Sequence, residues 1–190
     1  MSTIEIVRFG VPPERADELI AGHERARLAI DSVSPGWIWS RLARFDERSW
    51  IEIVAWSERA AFDRALELSI DEPDAADWFG LADPGWTIRL GEPVEAPSSD
   101  PPAGGSLLLA TAPLGEDSAL VAAPDDGDAW SMLIALDERA WSEAEADWAA
   151  VSPGLLRLTA PDGSGSQPPP CWTETAAIAH SYDASAVGTG

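Results

Sequence analysis

The chain has 190 residues, 45% of them apolar and 24% charged, which is enough for one large or two small globular domains. Its 33 acidic side chains against 12 basic ones give a net charge of −21, which disfavours nucleic acid and anionic membrane surfaces as partners. A single cysteine, Cys171, no signal peptide and no apolar run of about 20 residues predict a cytoplasmic protein that does not span a membrane.

The first half of the chain is predicted to follow the order β-α-β-β-α-β, which is that of a ferredoxin-like module. A helix opens at Pro12-Pro13 and stops at Ser34-Pro35-Gly36, and a second helix begins after Ser57 and breaks at Pro73. A short further helix is expected over 74–81. The predicted strands are 3–9, 37–44, 49–56 and 86–90.

The second half is predicted as a helix-poor α+β lobe. A linker rich in Pro, Ser and Gly covers 93–105, the lobe covers 106–182 and a flexible tail covers 183–190, after a first domain of residues 1–92. Within the lobe we expect a helix over 137–151 and strands at 106–112, 119–123, 130–136, 155–160 and 172–179.

Sequence echoes indicate that this lobe is a degenerate second copy of the module. Val33-Ser34-Pro35-Gly36 recurs as Val151-Ser152-Pro153-Gly154, which makes strand 130–136 equivalent to the first strand of the module. A competing register aligns 130–140 with 50–60. The first register needs fewer rearrangements and is preferred, while chance similarity in a sequence of low diversity is the alternative to both.

The segment WIEIVAWSERAAFDRAL (residues 50–66) ends a strand in Trp56 and continues through Ser57-Glu58 into a helix. With the preceding strand, Pro-containing helix and Ser-Pro-Gly, it resembles the antibiotic-biosynthesis-monooxygenase (ABM) domains over residues 3–92. The resemblance implies a barrel of two sheets, normally made by dimerisation, with a pocket between each sheet and its helices. A haem-degrading branch of the superfamily needs an Asn on the first strand and a His after the second helix. This sequence has neither, so haem oxygenation is disfavoured.

The two middle strands are predicted to form a hairpin centred between Asp46 and Glu47, which places Arg41 opposite Glu52 and Trp37 opposite Trp56. One face then holds an aromatic set around a polar pair: Trp37, Trp39, Arg41, Trp50, Glu52 and Trp56. The other face holds the apolar residues Ile38, Leu42, Ile51, Ile53 and Ala55.

If Trp56 points into the pocket, as the resemblance implies, the aromatic face forms a flat slot suited to a planar polycyclic ligand. We predict His23 and Arg41 as catalytic residues, the base and the anion partner respectively. The predicted substrate-binding residues are Trp37, Trp39, Glu52, Trp56 and Trp78. The alternatives are that the tryptophans pack a core or an interface, that Arg41 and Glu52 form a simple cross-strand ion pair, and that His23 is a core histidine.

Sequence motifs for cofactors are absent. Two His and one Cys, widely separated, form no zinc or non-haem iron site, and there is no dinucleotide fingerprint or nucleophile elbow. We therefore expect no cofactor and no metal. The leading hypothesis is a cofactor-independent monooxygenase acting on an aromatic polyketide-like molecule in bacterial secondary metabolism. The rivals are a cofactor-free cyclase or isomerase, and a non-catalytic small-molecule binding protein.

The apolar face of the predicted hairpin cannot remain in water. Either the second lobe covers it within one chain, giving a monomeric pseudo-dimer, or two chains pair as a homodimer. The repeated Val-Ser-Pro-Gly junction favours the internal α+β barrel.

Overall fold

A computed structural model describes residues 2–93, 106–113, 130–135, 155–159 and 172–183. The first part of the chain has three helices, α1 (Ala16–Val33), α2 (Arg59–Leu68) and α3 (Pro73–Phe79). Its four strands are β1 (Thr3–Gly10), β2 (Trp37–Arg44), β3 (Ser49–Trp56) and β4 (Thr87–Pro93). The predicted β-α-β-β-α-β order and the short extra helix are therefore confirmed.

Four further strands follow: β5 (Ser106–Pro113), β6 (Trp130–Ala135), β7 (Leu155–Thr159) and β8 (Trp172–Asp183). All eight close into one antiparallel barrel in the order β1-β3-β2-β8-β5-β6-β7-β4. The expected α+β barrel is thus formed within one chain, with seams at β2–β8 and β4–β7. The predicted strand 119–123, the helix 137–151 and most of the linker lie outside the described residues.

Neither repeat register reproduces the pairing of the second half. The preferred register requires β8 to lie between β6 and β7, as β3 lies between β1 and β2, but β8 pairs with β5 and β2. The competing register equates β6 with β3. It agrees with the structure in one respect, because β6 pairs with the preceding strand β5 as β3 pairs with β2. The other neighbour of β6, however, is β7, whereas the other neighbour of β3 is β1. The four strands described for the second half also form an antiparallel sheet, but they follow one another across it in a different order.

The junction between α1 and β2 shows why these residues end the helix. Gly36 has φ +135°, and an added Cβ there would lie 2.6 Å from the Ala61 Cβ. The Ser34 hydroxyl donates to the Ala61 carbonyl at 2.7 Å, and the Ser57 N–H donates to the Gly36 carbonyl at 2.7 Å. The Ser-Pro-Gly stop therefore also docks the start of α2 against the sheet.

A β-bulge in β2 changes which side chains face the helices. Trp37 pairs with Trp56 as predicted, but the register shifts before Trp39. Arg41 then pairs with Ile53, and Glu52 pairs with Leu42, so the predicted Arg41–Glu52 pair is wrong. An extra residue in one strand reverses the faces of every residue beyond it.

The two faces of the sheet are sorted accordingly. The helix-facing side of β2 and β3 includes Leu42, Trp50, Val54 and Trp56, which are buried in the cores under the helices. The prediction that Leu42 lies on the opposite face is therefore wrong. The barrel interior receives the alternating set Ile4, Ile6, Trp39, Arg41, Ala43, Ile51, Ile53 and Ala55, all of them buried.

Candidate active site

A cavity of about 420 Å³ lies between the helix-facing side of the sheet and the three helices. This is the size and location of a small-molecule site, and it is the pocket position that the sequence resemblance implied. Its mouth is apolar, because four partly exposed side chains surround it: Leu66, Ile70, Trp86 and Ile88. Its walls are also mainly apolar, formed by residues such as Val7, Phe9, Leu19, Ile30, Phe62 and Ala65.

Glu5 brings a carboxyl group into this apolar cavity from β1. It shares a strand face with Val7 and Phe9, because alternate residues of a strand point the same way. The Trp56 indole N–H donates to Glu5 Oε2 at 2.9 Å. Burial raises the pKa of Glu5 from 4.5 to about 7, with the Glu52 charge adding to the rise, while the Arg27 charge and the Trp56 hydrogen bond oppose it. A carboxyl group with a pKa near neutrality can both accept and return a proton.

Beneath the cavity, Glu52 joins two groups of α1 in a buried network. One carboxylate oxygen contacts His23 Nε2 at 2.7 Å, and the other accepts a hydrogen bond from Arg27 Nη2. All three side chains are buried, with exposures of 0% for His23, 1% for Glu52 and 4% for Arg27. Burial alone would raise the pKa of Glu52, but the charges and hydrogen bonds of Arg27 and His23 hold that pKa below its usual value.

Aromatic rings enclose the Arg27 guanidinium. Its central carbon lies 4.4 Å from the Trp37 ring centroid, 4.8 Å from that of Trp78 and 6.0 Å from that of Phe79. Such contacts stabilise a desolvated cation by about 1–2 kcal/mol each. The Trp37 ring is itself held in place, because it packs edge-on against the Trp56 ring with 4.9 Å between the ring centroids.

The Trp78 indole is fixed by α1. Its N–H donates to the Leu19 carbonyl at 2.8 Å, and its ring lies 5.5 Å from that of His23. Gly22 allows this approach, because an added Cβ would lie 3.1 Å from Trp78 Cδ1. Towards the mouth, Phe79 stacks on Trp86 at 5.3 Å.

The structure brings five of the seven predicted site residues to this region. Glu52, Trp56 and Trp78 line the cavity. His23 and Trp37 lie directly behind it, in contact with Glu52 and Trp56 respectively.

The other two predicted residues, Trp39 and Arg41, lie on the far side of the sheet, because the bulge reverses their orientation. Arg41 is buried there. Its Nη1 donates to the Ser40 carbonyl at 2.8 Å, and its guanidinium carbon lies 5.5 Å from the Trp39 ring centroid. The prediction that Arg41 meets a substrate anion in this pocket is therefore wrong.

Two residues of the site were not predicted, Glu5 and Arg27. Arg27 follows His23 by four residues on the apolar side of the first helix, and that spacing is the signal that could have placed it beside Glu52. Glu5 stands among apolar residues of the first strand and shares its face with Val7. This position could have indicated a buried carboxyl group. Among the described residues, no group of three or more His, Cys, Asp or Glu side chains could hold a metal ion.

Comparisons with known proteins identify the fold. No family model and no curated protein sequence matches the chain. A protein of Lactobacillus acidophilus assigned as a monooxygenase matches with a TM-score of 0.50 at 10% identity, covering 96% of both chains. Another from Fusobacterium nucleatum, with the same assignment, has a TM-score of 0.51 at 7% identity, covering 96% of this chain and 94% of its own.

A shorter match is SnoaB, a cofactor-independent oxygenase from Streptomyces nogalater. It covers 50% of this chain and 95% of its own, with a TM-score of 0.40 at 22% identity. The two full-length matches confirm the doubled α+β barrel, which is the fold that the resemblance to ABM domains implied. Within the described part of the chain, no helix combines the length and apolarity needed to cross a membrane.

Proposed function

We propose that this chain, a single-chain α+β barrel whose first half resembles the ABM domains, is a cofactor-independent monooxygenase acting on an aromatic polyketide-like molecule. The observation that carries the proposal is Glu5, a carboxyl group with a pKa of about 7 inside an apolar, aromatic cavity. Two proteins that share the full-length fold are assigned as monooxygenases, which supports the same reaction class. The sequence resemblance adds the setting, bacterial secondary metabolism.

The proposed reaction begins at a C–H bond flanked by aromatic rings, such as the CH₂ of an anthrone. The Glu5 carboxylate takes one proton, and the resulting carbanion passes one electron to O₂. The carbon radical and superoxide combine to a peroxide, which takes up a proton from Glu5. Loss of the second C–H proton then breaks the O–O bond and leaves a carbonyl group and water. One oxygen atom enters the product and the other leaves as water, so no external reductant is needed.

The cavity supports each requirement of this sequence. Its apolar walls exclude water from the carbanion, and the Arg27 guanidinium supplies positive charge beside the ionised substrate. The Trp56 N–H fixes the Glu5 carboxyl through one oxygen. The aromatic side chains Trp56, Trp78 and Phe79 offer faces for a planar ring system.

Oxygen uptake with anthrone, corrected for its spontaneous oxidation, tests the proposal. We expect a product that has gained one oxygen atom from O₂ and lost two hydrogens. The rate should rise with pH through about 7, because the base must be ionised. Glu5→Gln should lower kcat by at least about 100-fold, whereas the exposed control Glu18→Gln should leave it unchanged.

Other results would contradict the proposal. An isomeric product without oxygen consumption would identify a cyclase or isomerase. Quenching of tryptophan fluorescence without turnover would identify a binding protein. An unchanged rate in Glu5→Gln would remove the base from the mechanism.

A further inference from the structure

We propose that Arg27 binds a negatively charged oxygen of the ligand, and that Glu52 and His23 are positioning residues that hold its guanidinium at the cavity. The inference rests on the proposed function only for the location of the ligand. It assigns to Arg27 the anion-binding role that the sequence had given to Arg41, and it removes His23 from the role of base.

Arg27 is held in place but retains donor capacity. Its Nη2 donates to Glu52, and its guanidinium is enclosed by the Trp37 and Trp78 rings. Its Nε is buried and has no hydrogen-bond partner among the described residues. The residue lines the cavity and is only 4% exposed. The Nε N–H is enclosed by protein, so a ligand oxygen would contact the part of the Arg27 side chain that lines the cavity.

Glu52 and His23 are already engaged with each other and with Arg27 before a ligand enters. Each Glu52 oxygen is already engaged, one by Arg27 and one by His23. His23 has zero exposure and lies behind Glu52, so a ligand in the cavity does not reach it. The chain His23–Glu52–Arg27 therefore acts on the ligand through its last member.

Three ionisable side chains face Arg27. Glu52 approaches from β3, His23 from α1 itself and Glu5 from β1. The cavity residues between the start of α2 and β4, within residues 62–88, carry no charge, because they are aromatic, aliphatic or hydroxyl side chains. An anion entering the cavity thus meets one guanidinium, whose charge the Glu52 carboxylate partly offsets, and it is repelled by Glu5 when that group is ionised. In these mainly apolar surroundings the remaining attraction to Arg27 is stronger than it would be in water.

The test uses alizarin, a planar hydroxyanthraquinone whose neutral and ionised forms differ in absorption and which lacks the reactive CH₂. The titration is run on the Glu5→Gln protein, so that Glu5 does not titrate in the same range. We expect the bound dye to ionise at least about one pH unit below the free dye, because a cation within a few ångströms favours the phenolate. In the double variant Glu5→Gln/Arg27→Met, the bound dye should instead ionise at a higher pH than the free dye, since an apolar cavity favours the neutral phenol.

Substitutions of the positioning residues complete the test. Glu52→Ala should reduce the shift by more than half, because Arg27 loses its anchor. Glu52→Gln should keep or enlarge the shift, because its amide oxygen can still accept from Arg27 and the substitution removes a negative charge near the phenolate. His23→Ala should reduce the shift less than Glu52→Ala does. Arg25→Met, an exposed neighbour on α1, is the matched control and should change nothing.

The proposal is overturned if the bound dye ionises at or above the pH of the free dye, a result that needs no further variant. It is also overturned if the phenolate does not bind, if Arg27→Met leaves the shift intact, or if Glu52→Gln loses as much as Glu52→Ala. Since alizarin is not oxygenated, an intact shift without any anthrone oxidation would contradict the proposed function alone.

Discussion

Two carboxyl groups share this cavity, and their surroundings give them different protonation states. Glu52 contacts Arg27 and His23, and these partners keep its pKa below the usual value despite burial. Glu5 accepts one hydrogen bond from a neutral indole, and burial raises its pKa to about 7. Of the two, only Glu5 changes charge near neutral pH, which is why the base is assigned to it.

The same shift predicts how Glu5 affects stability. Because the folded chain keeps Glu5 protonated up to about pH 7 while the unfolded chain ionises it near 4.5, stability falls as pH rises between these values. Glu5→Gln removes this cost and retains an acceptor for Trp56. The variant should match the wild type below pH 4 and exceed its free energy of unfolding by at most about 3 kcal/mol above pH 7.

Urea unfolding at pH 4 and pH 8 measures this difference. Glu18→Gln is the matched control, since its side chain is exposed and the substitution should change stability by less than about 0.5 kcal/mol at either pH. A stability difference for Glu5→Gln of the same size at both pH values would show that the titration of Glu5 is not its cause.

The residues of the site were only partly predictable from sequence. Strand parity placed Glu52 and Trp56 together, and helical spacing placed His23 on the buried side of α1. Which side chain of α1 meets Glu52 depends on the angle of the helix across the sheet, and no local pattern encodes that angle. The pKa of Glu5 depends on how deeply the folded chain buries its carboxyl group, so it was also not visible in the sequence.

At the level of elements, the bulge in β2 and the contact between α1 and α3 decide which groups form the site. Trp37 faces the helices only because the bulge lies between it and Trp39. The hairpin was predicted with correct strand bounds, but a bulge inserts one residue without a composition signal, so the faces of Trp39 and Arg41 came out reversed. Trp78 reaches Arg27 only because α1 carries a glycine where α3 crosses it.

Gly22→Ala tests this helix contact. The added methyl group gains about 1 kcal/mol of helix propensity. It also overlaps Trp78 at 3.1 Å, and such overpacking costs about 1–3 kcal/mol. We expect a net loss of about 1 kcal/mol in the free energy of unfolding, measured by thermal denaturation. The pH at which bound alizarin ionises should also move closer to that of the free dye, because Trp78 moves off Arg27.

Ala21→Gly is the control for Gly22→Ala. It lies on the exposed side of the same helix turn and should lose about 1 kcal/mol through backbone entropy alone. The pH at which bound alizarin ionises should be the same with and without the Ala21→Gly substitution. If both variants weaken the dye shift equally, the effect reflects general destabilisation rather than the position of Trp78.

At the scale of the whole molecule, the barrel accounts for the apolar inner face of the first sheet. Ile4, Ile6, Ile51 and Ile53 are at most 3% exposed, although none of the helices α1, α2 and α3 described for residues 2–93 covers that side. The sequence predicted both the need for a cover and its source in the second half. It did not predict the strand order there, because the short Val-Ser-Pro-Gly echo marks a junction and carries no information about which strands pair.

A fragment of residues 1–93 tests whether the second half closes the barrel. Without β7 and β8, the fragment exposes its apolar inner face and the free edges of β2 and β4. Exposed apolar surface and unpaired strand edges drive association. The fragment should therefore dimerise or aggregate, whereas the full chain should be a monomer in light scattering after gel filtration. A fragment that remains monomeric and cooperatively folded would contradict the internal barrel, and a dimeric full chain would contradict the monomeric pseudo-dimer that we propose.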